Sequence, residues 1–221
     1  PYFNNVTADV SQITSVVIGA GADFTGSLAN AWYGANNMTS FVCPFGVTSG
    51  VTSFSSSWRT CNSLTSFPLI DTSSGTSFGN AWRNCNSLTS FPLIDTSSGT
   101  SFGNAWRDCS NLTSFPLIDT AAGTNFKYTW YNCNSLTSFP ANMFDTTGTL
   151  ISNAFNLAWS SCALTAQSIE NILVSLDTNG ASNITLSISG GTNAGKTTWS
   201  AAANTAYDSL IVKGWTISFN A

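Results

Sequence analysis

Between residues 14 and 164 the large apolar positions return in register about every 24 residues. Trp stands at Trp32, Trp58, Trp82, Trp106, Trp130 and Trp159, and Cys at Cys61, Cys85, Cys109, Cys133 and Cys162. Leu64, Leu88, Leu112, Leu136 and Leu164 form a third column, Phe67, Phe91, Phe115 and Phe139 a fourth, and Phe54, Phe78, Phe102 and Phe126 a fifth. Ser, Thr, Asn and Gly fill the positions between. One such unit cannot close a core, but units laid on one another bury a continuous one in which each large side chain meets its own copies.

Starting each unit at the "TS" before an aromatic or β-branched residue divides the stretch into 14–38, 39–64, 65–88, 89–112, 113–136 and 137–164. Residues 65–88 and 89–112 match at 21 of 24 positions, and the three changes (Asn84 to Asp108, Asn86 to Ser110, Ser87 to Asn111) are polar swaps around the Cys. Within a unit, "SLTSFP" predicts a short strand ended by Pro. "DTSSGT" predicts a turn, and "NAWRNC", which lacks β-branched residues, a helical turn. The pattern predicts an α/β solenoid: a leucine-rich-repeat-like right-handed coil with a parallel β-sheet and about six repeats of ~24 residues.

After residue 164 the repeat stops. Ile169, Ile172, Leu173 and Leu176 fall at i, i+3, i+4 and i+7, which predicts an amphipathic helix that Gly180 can end. "NITLSIS" predicts a strand, "TTWSAAANTAYDSLIVKG" a second helix ended by Lys213 and Gly214, and "WTISF" a last strand with Trp215, Ile217 and Phe219 alternating. The expected organisation is one continuous domain, with an N-terminal lead-in or cap over 1–13, the repeats over 14–164 and a C-terminal α/β cap over 165–221. An open edge of stacked strands invites pairing with other chains, so a cover is expected.

The unit "LTSFPLIDTSSGTSFGNAWRNCNSL" resembles the short leucine-rich repeats of the BspA-like surface-protein family, with Leu-Thr-Ser, an Asp-Thr-Ser turn, an aromatic three residues before Cys, and then Leu. The resemblance covers 14 to about 164, with Trp where many relatives have Phe. The tail, "ALTAQSIENILVSLDTNG" with "ISGGTN" and "GWTISFN", is similar to the ends of such repeat proteins among marine bacteriophage virion or tail-fibre components. The resemblance implies surface display and binding rather than a reaction.

Composition narrows the function classes. The 221 residues are 43% hydrophobic, enough for a real core, and only 7% charged. There are six Lys and Arg, no His, a single Glu (Glu170) and a net charge of -4. That balance argues against nucleic acid, which needs clustered cations. No apolar run approaches the roughly 20 residues of a membrane helix, so no membrane insertion is expected. No signal peptide is read, and an opening at Pro1 without Met reads as a processed chain or a piece of a longer one. With no His and no nucleophile beside a plausible base, no catalysis and no cofactor are expected.

Each column admits a site reading. The five column cysteines can be core thiols, disulfides between neighbouring rungs or metal ligands; one per unit, with no C-x-x-C and no His, favours core thiols, and Cys43 stands outside the column. The tryptophans can be core or an exposed platform for a sugar chain, and their place beside Ala and Cys favours core, where each indole N–H needs a partner. Asp71, Asp95, Asp119 and Asp145 can bind calcium or form Asx turns, and the following Thr and Ser favour turns. "GGTNAGKT" (190–197) fits the phosphate-binding pattern G-x-x-x-x-G-K-[ST], but no apolar strand ending in Asp follows to hold magnesium, so it is read as a turn of the cap.

The candidate binding surface is the row Arg59, Arg83, Arg107 and Tyr131, together with the rows Thr65, Thr89, Thr113 and Ser66, Ser90, Ser114 beside the expected strands. Such rows would contact a host cell-surface glycan or protein, or other virion subunits. The expected function is a non-catalytic module on a virion surface, a tail-fibre or capsid-surface adhesin. The alternatives are a bacterial cell-surface adhesin or a purely architectural virion or fibre protein.

Overall fold

In the computed structural model of the protein, residues 9–221 are described, so most of the expected lead-in over 1–13 lies outside the described residues. β1 (Ser15–Val17) pairs in parallel with β3 (Ser40–Val42), and β2 (Thr25–Ser27) with β4 (Gly50–Ser53). Near the C-terminus β5 (Thr185–Ile188) pairs in parallel with β6 (Thr216–Phe219), and two helices run at α1 (Ala166–Asn179) and α2 (Ala201–Val212).

The expected right-handed, leucine-rich-repeat-like α/β solenoid around a parallel sheet is therefore corrected. Among the described residues there are two α-helices and three separate two-stranded sheets. From Phe54 to Leu164 the backbone forms only turns and isolated bridges.

The reason lies in the dihedrals of "GNAWRNC". Asn80 and Asn84 sit at φ 57° and 62°, and Asn104, Asp108 and Asn132 repeat this at 59°, 63° and 60°. An α-helix cannot pass through a left-handed residue every fourth position, so the stretch becomes a ribbon of linked turns. The N–H of Ala81 donates to the Phe78 carbonyl (3.0 Å), that of Arg83 to Asn80 (3.2 Å) and that of Cys85 to Trp82 (3.1 Å). The alternate N–H groups reach the next unit: Phe78 donates to Ser101 (2.9 Å), Asn80 to Gly103 (3.0 Å), Trp82 to Ala105 (2.9 Å) and Asn84 to Arg107 (2.9 Å). Asn and Asp visit the left-handed region at least cost among residues with a Cβ. Thr60, Tyr128 and Leu157, also at positive φ, each store about 1–3 kcal/mol there.

The expected strand in "SLTSFP" fails for a second reason. Pro68, Pro92, Pro116 and Pro140 follow directly and bring no N–H to a ladder, so pairing in the column shrinks to the bridge Ser114 to Ser138. The longer run of parallel bridges joins Ser53, Ser77, Ser101 and Asn125, where the sequence predicted a turn leading into a helical turn.

The core follows the columns. Trp58, Trp82, Trp106, Trp130 and Trp159 are fully buried, and their rings lie nearly parallel at 5.6, 5.2, 6.1 and 5.0 Å from one to the next. Phe67, Phe91 and Phe115 each stand edge to face against the Trp of the preceding unit at 4.7 Å. The C-terminal segment continues the pile: Phe155 bridges to Leu186 of β5, and the Trp159 N–H donates to the Ser187 carbonyl (3.2 Å).

The two helices have conventional ends. Thr165 and Ser200 cap α1 and α2 by accepting from the N–H groups of Ser168 (3.2 Å) and Ala203 (3.0 Å), and Gly180 closes α1 in the left-handed conformation. Ser200 also donates to Glu170, and Lys213 bridges to Asp177 (2.6 Å), tying the helices together. Because Ser200 is the cap, α2 begins after "TTW", which forms the end of a short 3-10 turn (Lys196–Thr198) and its Trp cap.

Candidate binding surface

All six cysteines are buried free thiols, and each of the five in the column donates to the carbonyl of the Trp one unit earlier: Cys61 to Trp32 (3.4 Å), and Cys85 to Trp58, Cys109 to Trp82, Cys133 to Trp106 and Cys162 to Trp130 at 3.1 Å, while Cys43 donates to the Pro44 carbonyl (3.7 Å). Burial pushes Cys61, Cys109 and Cys162 up to about 12, and Cys85 and Cys133 well above the usual thiol range. A thiol held in that state is neither nucleophile nor metal ligand, since both need the thiolate. Among the described residues no three His, Cys, Asp or Glu side chains gather around a cation position.

Asp71, Asp95 and Asp119 each accept the N–H two residues on (3.1, 2.9 and 2.8 Å), which is the Asx turn. Those bonds hold the Asp95 carboxyl below the usual range. Asp145 departs from the column and accepts instead from the Ser175 hydroxyl of α1 (2.5 Å). Beside this column stands a rung the sequence reading missed. Buried Thr48, Thr72 and Thr96 donate their hydroxyls to the carbonyls of Asp71, Asp95 and Asp119 in the next unit (2.6, 2.5 and 2.5 Å).

The loop "GGTNAGKT" is occupied by its own chain. Backbone N–H groups of Gly190, Thr192, Ala194 and Lys196 donate to Asn220, Cys162, Leu164 and Asn220. A phosphate cradle needs such donors free. A Cβ on Gly191 would lie 2.2 Å from the Cys162 carbonyl oxygen, and one on Gly195 2.2 Å from that of Ala221, so these glycines serve close backbone packing. Lys196 sits over the Tyr207 ring, its Nζ 3.6 Å from the centroid. Buried Asn193 accepts from the Leu164 N–H (2.9 Å) and donates to the carbonyls of Trp159 (2.9 Å) and Ile188 (3.0 Å). Its amide thus takes, on the last Trp carbonyl, the place that the thiols hold on the earlier ones.

No family model, curated protein or solved structure matches this chain.

What remains as a surface with chemistry is the residue after each Trp. Tyr33, Arg59, Arg83, Arg107 and Tyr131 follow the Trp of successive units and form one row. The Arg59 guanidinium lies over the Tyr33 ring (5.1 Å), and that of Arg107 over Tyr131 (4.9 Å) and Tyr128 (5.1 Å). Lys127 approaches Tyr128 from the side of the chain before it (5.4 Å). A single carboxylate, Asp108, meets Arg107 at 3.2 Å and Arg83 at 3.8 Å. Desolvation, then the neighbouring Arg107 and Arg59 charges, lower the pKa of Arg83. The Nε atoms of Arg59 and Arg83 are buried with no hydrogen-bond partner.

The structure therefore brings Arg59, Arg83, Arg107 and Tyr131 together, as the sequence suggested, and adds Tyr33, Tyr128, Lys127 and Asp108. Tyr33 was legible as the residue after Trp32, whereas Tyr128 lies three positions off the row and gave no signal. Thr65, Thr89, Thr113, Ser66, Ser90 and Ser114 are all exposed beside the buried Phe column, and the Thr113 hydroxyl is spent on the Thr89 carbonyl (3.2 Å). Not foreseen was an exposed apolar row, Phe45, Leu69, Leu93 and Leu117, one per unit. A groove of about 510 Å³ between the Thr147–Leu150 and Asn179–Ser182 turns has no charged lining, and the Asn179 amide in it is spent on the Phe144 and Thr147 carbonyls.

Proposed function

We propose that this chain is a non-catalytic binding module of a virion surface, a tail-fibre or capsid-surface adhesin that holds a host surface component through the Arg59–Arg83–Arg107 row. The reading rests on one observation. Four of the chain's six cations (Arg59, Arg83, Arg107 and Lys127) crowd onto one edge with a single carboxylate, in a chain whose net charge is -4. A solvated surface with no ligand to hold gains nothing from stacking like charges. The resemblance of the repeats to the BspA-like surface proteins agrees with display, and the same row would serve a bacterial cell-surface adhesin equally well.

The test is adsorption of the isolated chain to host cells. Arg83→Ala with Arg107→Ala, folded as judged by near-UV circular dichroism, should abolish it, and undiminished adsorption would remove the row from the reading. The exposed row Phe45, Leu69, Leu93 and Leu117 favours a second reading, an architectural subunit packed against other virion chains. Particles lacking an architectural subunit would assemble badly and still adsorb normally.

A further inference from the structure

We infer that Tyr33, Arg59, Arg83, Arg107 and Tyr131 form a linear subsite for an anionic polysaccharide laid along the pile of units, with its carboxylates or sulfates on successive guanidiniums. This rests on the binding reading above and names its ligand class.

Three guanidiniums ride on units whose Trp rings are 5.6 and 5.2 Å apart, over a packed core that fixes the spacing. Asp108 is already shared among Arg83, Arg107 and the Asn132 amide (3.0 Å), so nothing within the row neutralises Arg59. Only about a quarter of the Arg83 and Arg107 side chains is open to solvent (24% and 27%). These groups are held in place rather than waving in water, and the entropy cost of ordering them on a ligand is partly met in advance. A guanidinium fork matches a carboxylate or sulfate with paired hydrogen bonds, and three in line act on one chain together.

The spacing selects among polyanions. Alternate side chains of an extended acidic peptide lie about 6.6 Å apart, wider than the rungs. A rung spacing of 5.2–5.6 Å is close to the length of one sugar residue. Tyr33, 44% exposed, carries the Arg59 guanidinium on its ring at one end and Tyr131 that of Arg107 at the other, so the aromatic ends hold the outer cations of the row in place. Nine of the chain's ten acidic residues lie outside the row and disfavour a nucleic acid backbone.

The full chain is titrated with a polyuronate, dextran sulfate and neutral dextran, with polyglutamate and single-stranded DNA alongside. Saturable, salt-sensitive binding of the polyuronate or of dextran sulfate is expected, the two arms telling carboxylate from sulfate, with none to neutral dextran. Arg83→Ala should weaken it about tenfold or more. Arg83→Lys should retain part of it, because the charge stays while the fork is lost, and Asp108→Asn should tighten it. The last two responses would not follow from a structural role. Indifference of the native chain to both anionic glycans, insensitivity to Arg83→Ala, or equal binding of polyglutamate or DNA would overturn the assignment. Adsorption to host cells without glycan binding would sink this inference and leave the binding module standing; glycan binding without adsorption would do the reverse.

Discussion

The repeat units and the C-terminal segment bury tryptophan in opposite ways. In the repeats, the indole N–H groups of Trp58, Trp82, Trp106, Trp130 and Trp159 are buried without a hydrogen-bond partner. In the C-terminal segment, Trp199 donates to the Ala194 carbonyl (3.1 Å) and Trp215 to that of Ala181 (2.8 Å). The contrast extends to the other polar groups. The repeats satisfy backbone and thiols through bonds copied from unit to unit, while the segment after 164 uses individual caps and the Asp177–Lys213 pair. A column is chosen for how it meets its own copies, and a partner for the indole would have to be supplied by every unit at once. An irregular segment can settle each donor separately.

The comparison breaks first at high pH. Residues 165–221 contain no cysteine, whereas the repeats hold five thiols that burial pushes far up, to about 12 for Cys61, Cys109 and Cys162. In the unfolded chain a thiol ionises near pH ~8.5. Above that pH the unfolded state has lost protons that the folded state still holds, so stability falls as pH rises. Each thiol contributes about 1.4 kcal/mol per pH unit to this fall, until the folded thiols themselves ionise near 12. Urea midpoints should be level through neutrality and drop steeply by about pH 10, and Cys109→Ala should make the slope shallower by one thiol's share. A level profile to that pH would mean that water reaches the thiol column.

The seam between the two regions gives the next effect. Asn193→Ala leaves the Leu164 N–H and the Trp159 and Ile188 carbonyls without their side-chain partner, at about 1–3 kcal/mol for each group left unpaired, so a loss of about 3 kcal/mol or more is expected in urea melts. Lys196→Ala removes contacts to the Tyr207 and Phe219 rings and should cost only about 0.5–1 kcal/mol. A nucleotide loop would show the opposite order in ligand binding, with the lysine decisive.

What was legible in the sequence divides along the same line. The columns could be read because a side chain that packs on its own copy must recur, and Trp, Cys, Phe and Leu do so at every rung. The backbone between them could not be read from periodicity, because "NAWRNC" carries the composition of a helical turn while Asn80 and Asn84 sit in the left-handed region. The recurrence of Asn four residues apart was the available sign, since Asn is among the few residues that enter that region readily. After residue 164 the ordinary signals apply: Gly180 as a stop and apolar residues at helical spacing mark α1, while the stretch read as the second helix included "TTW" because the capping role of Ser200 was not read. In the candidate site, the arginines were visible as a row, but Asp108 was seen only as a polar swap for Asn84. Its meaning as the one carboxylate between two guanidiniums depends on the stacking.

The smallest effect separates the two ways of burying an indole. Trp106→Phe keeps an aromatic ring in the pile and removes an N–H that has no hydrogen-bond partner. The relief of about 1–3 kcal/mol from that buried donor offsets much of the packing lost with the smaller ring, so the net change should be within about 1 kcal/mol. Trp215→Phe loses comparable packing and also leaves the Ala181 carbonyl without its donor, so it should be the worse of the two by about 1–2 kcal/mol, although Trp215 is slightly less buried. Urea midpoints at equal slope give the comparison directly. Equal losses would point to the face of a neighbouring ring as the acceptor for the Trp106 N–H. The repeats would then satisfy their indoles by the same copying that satisfies their backbone.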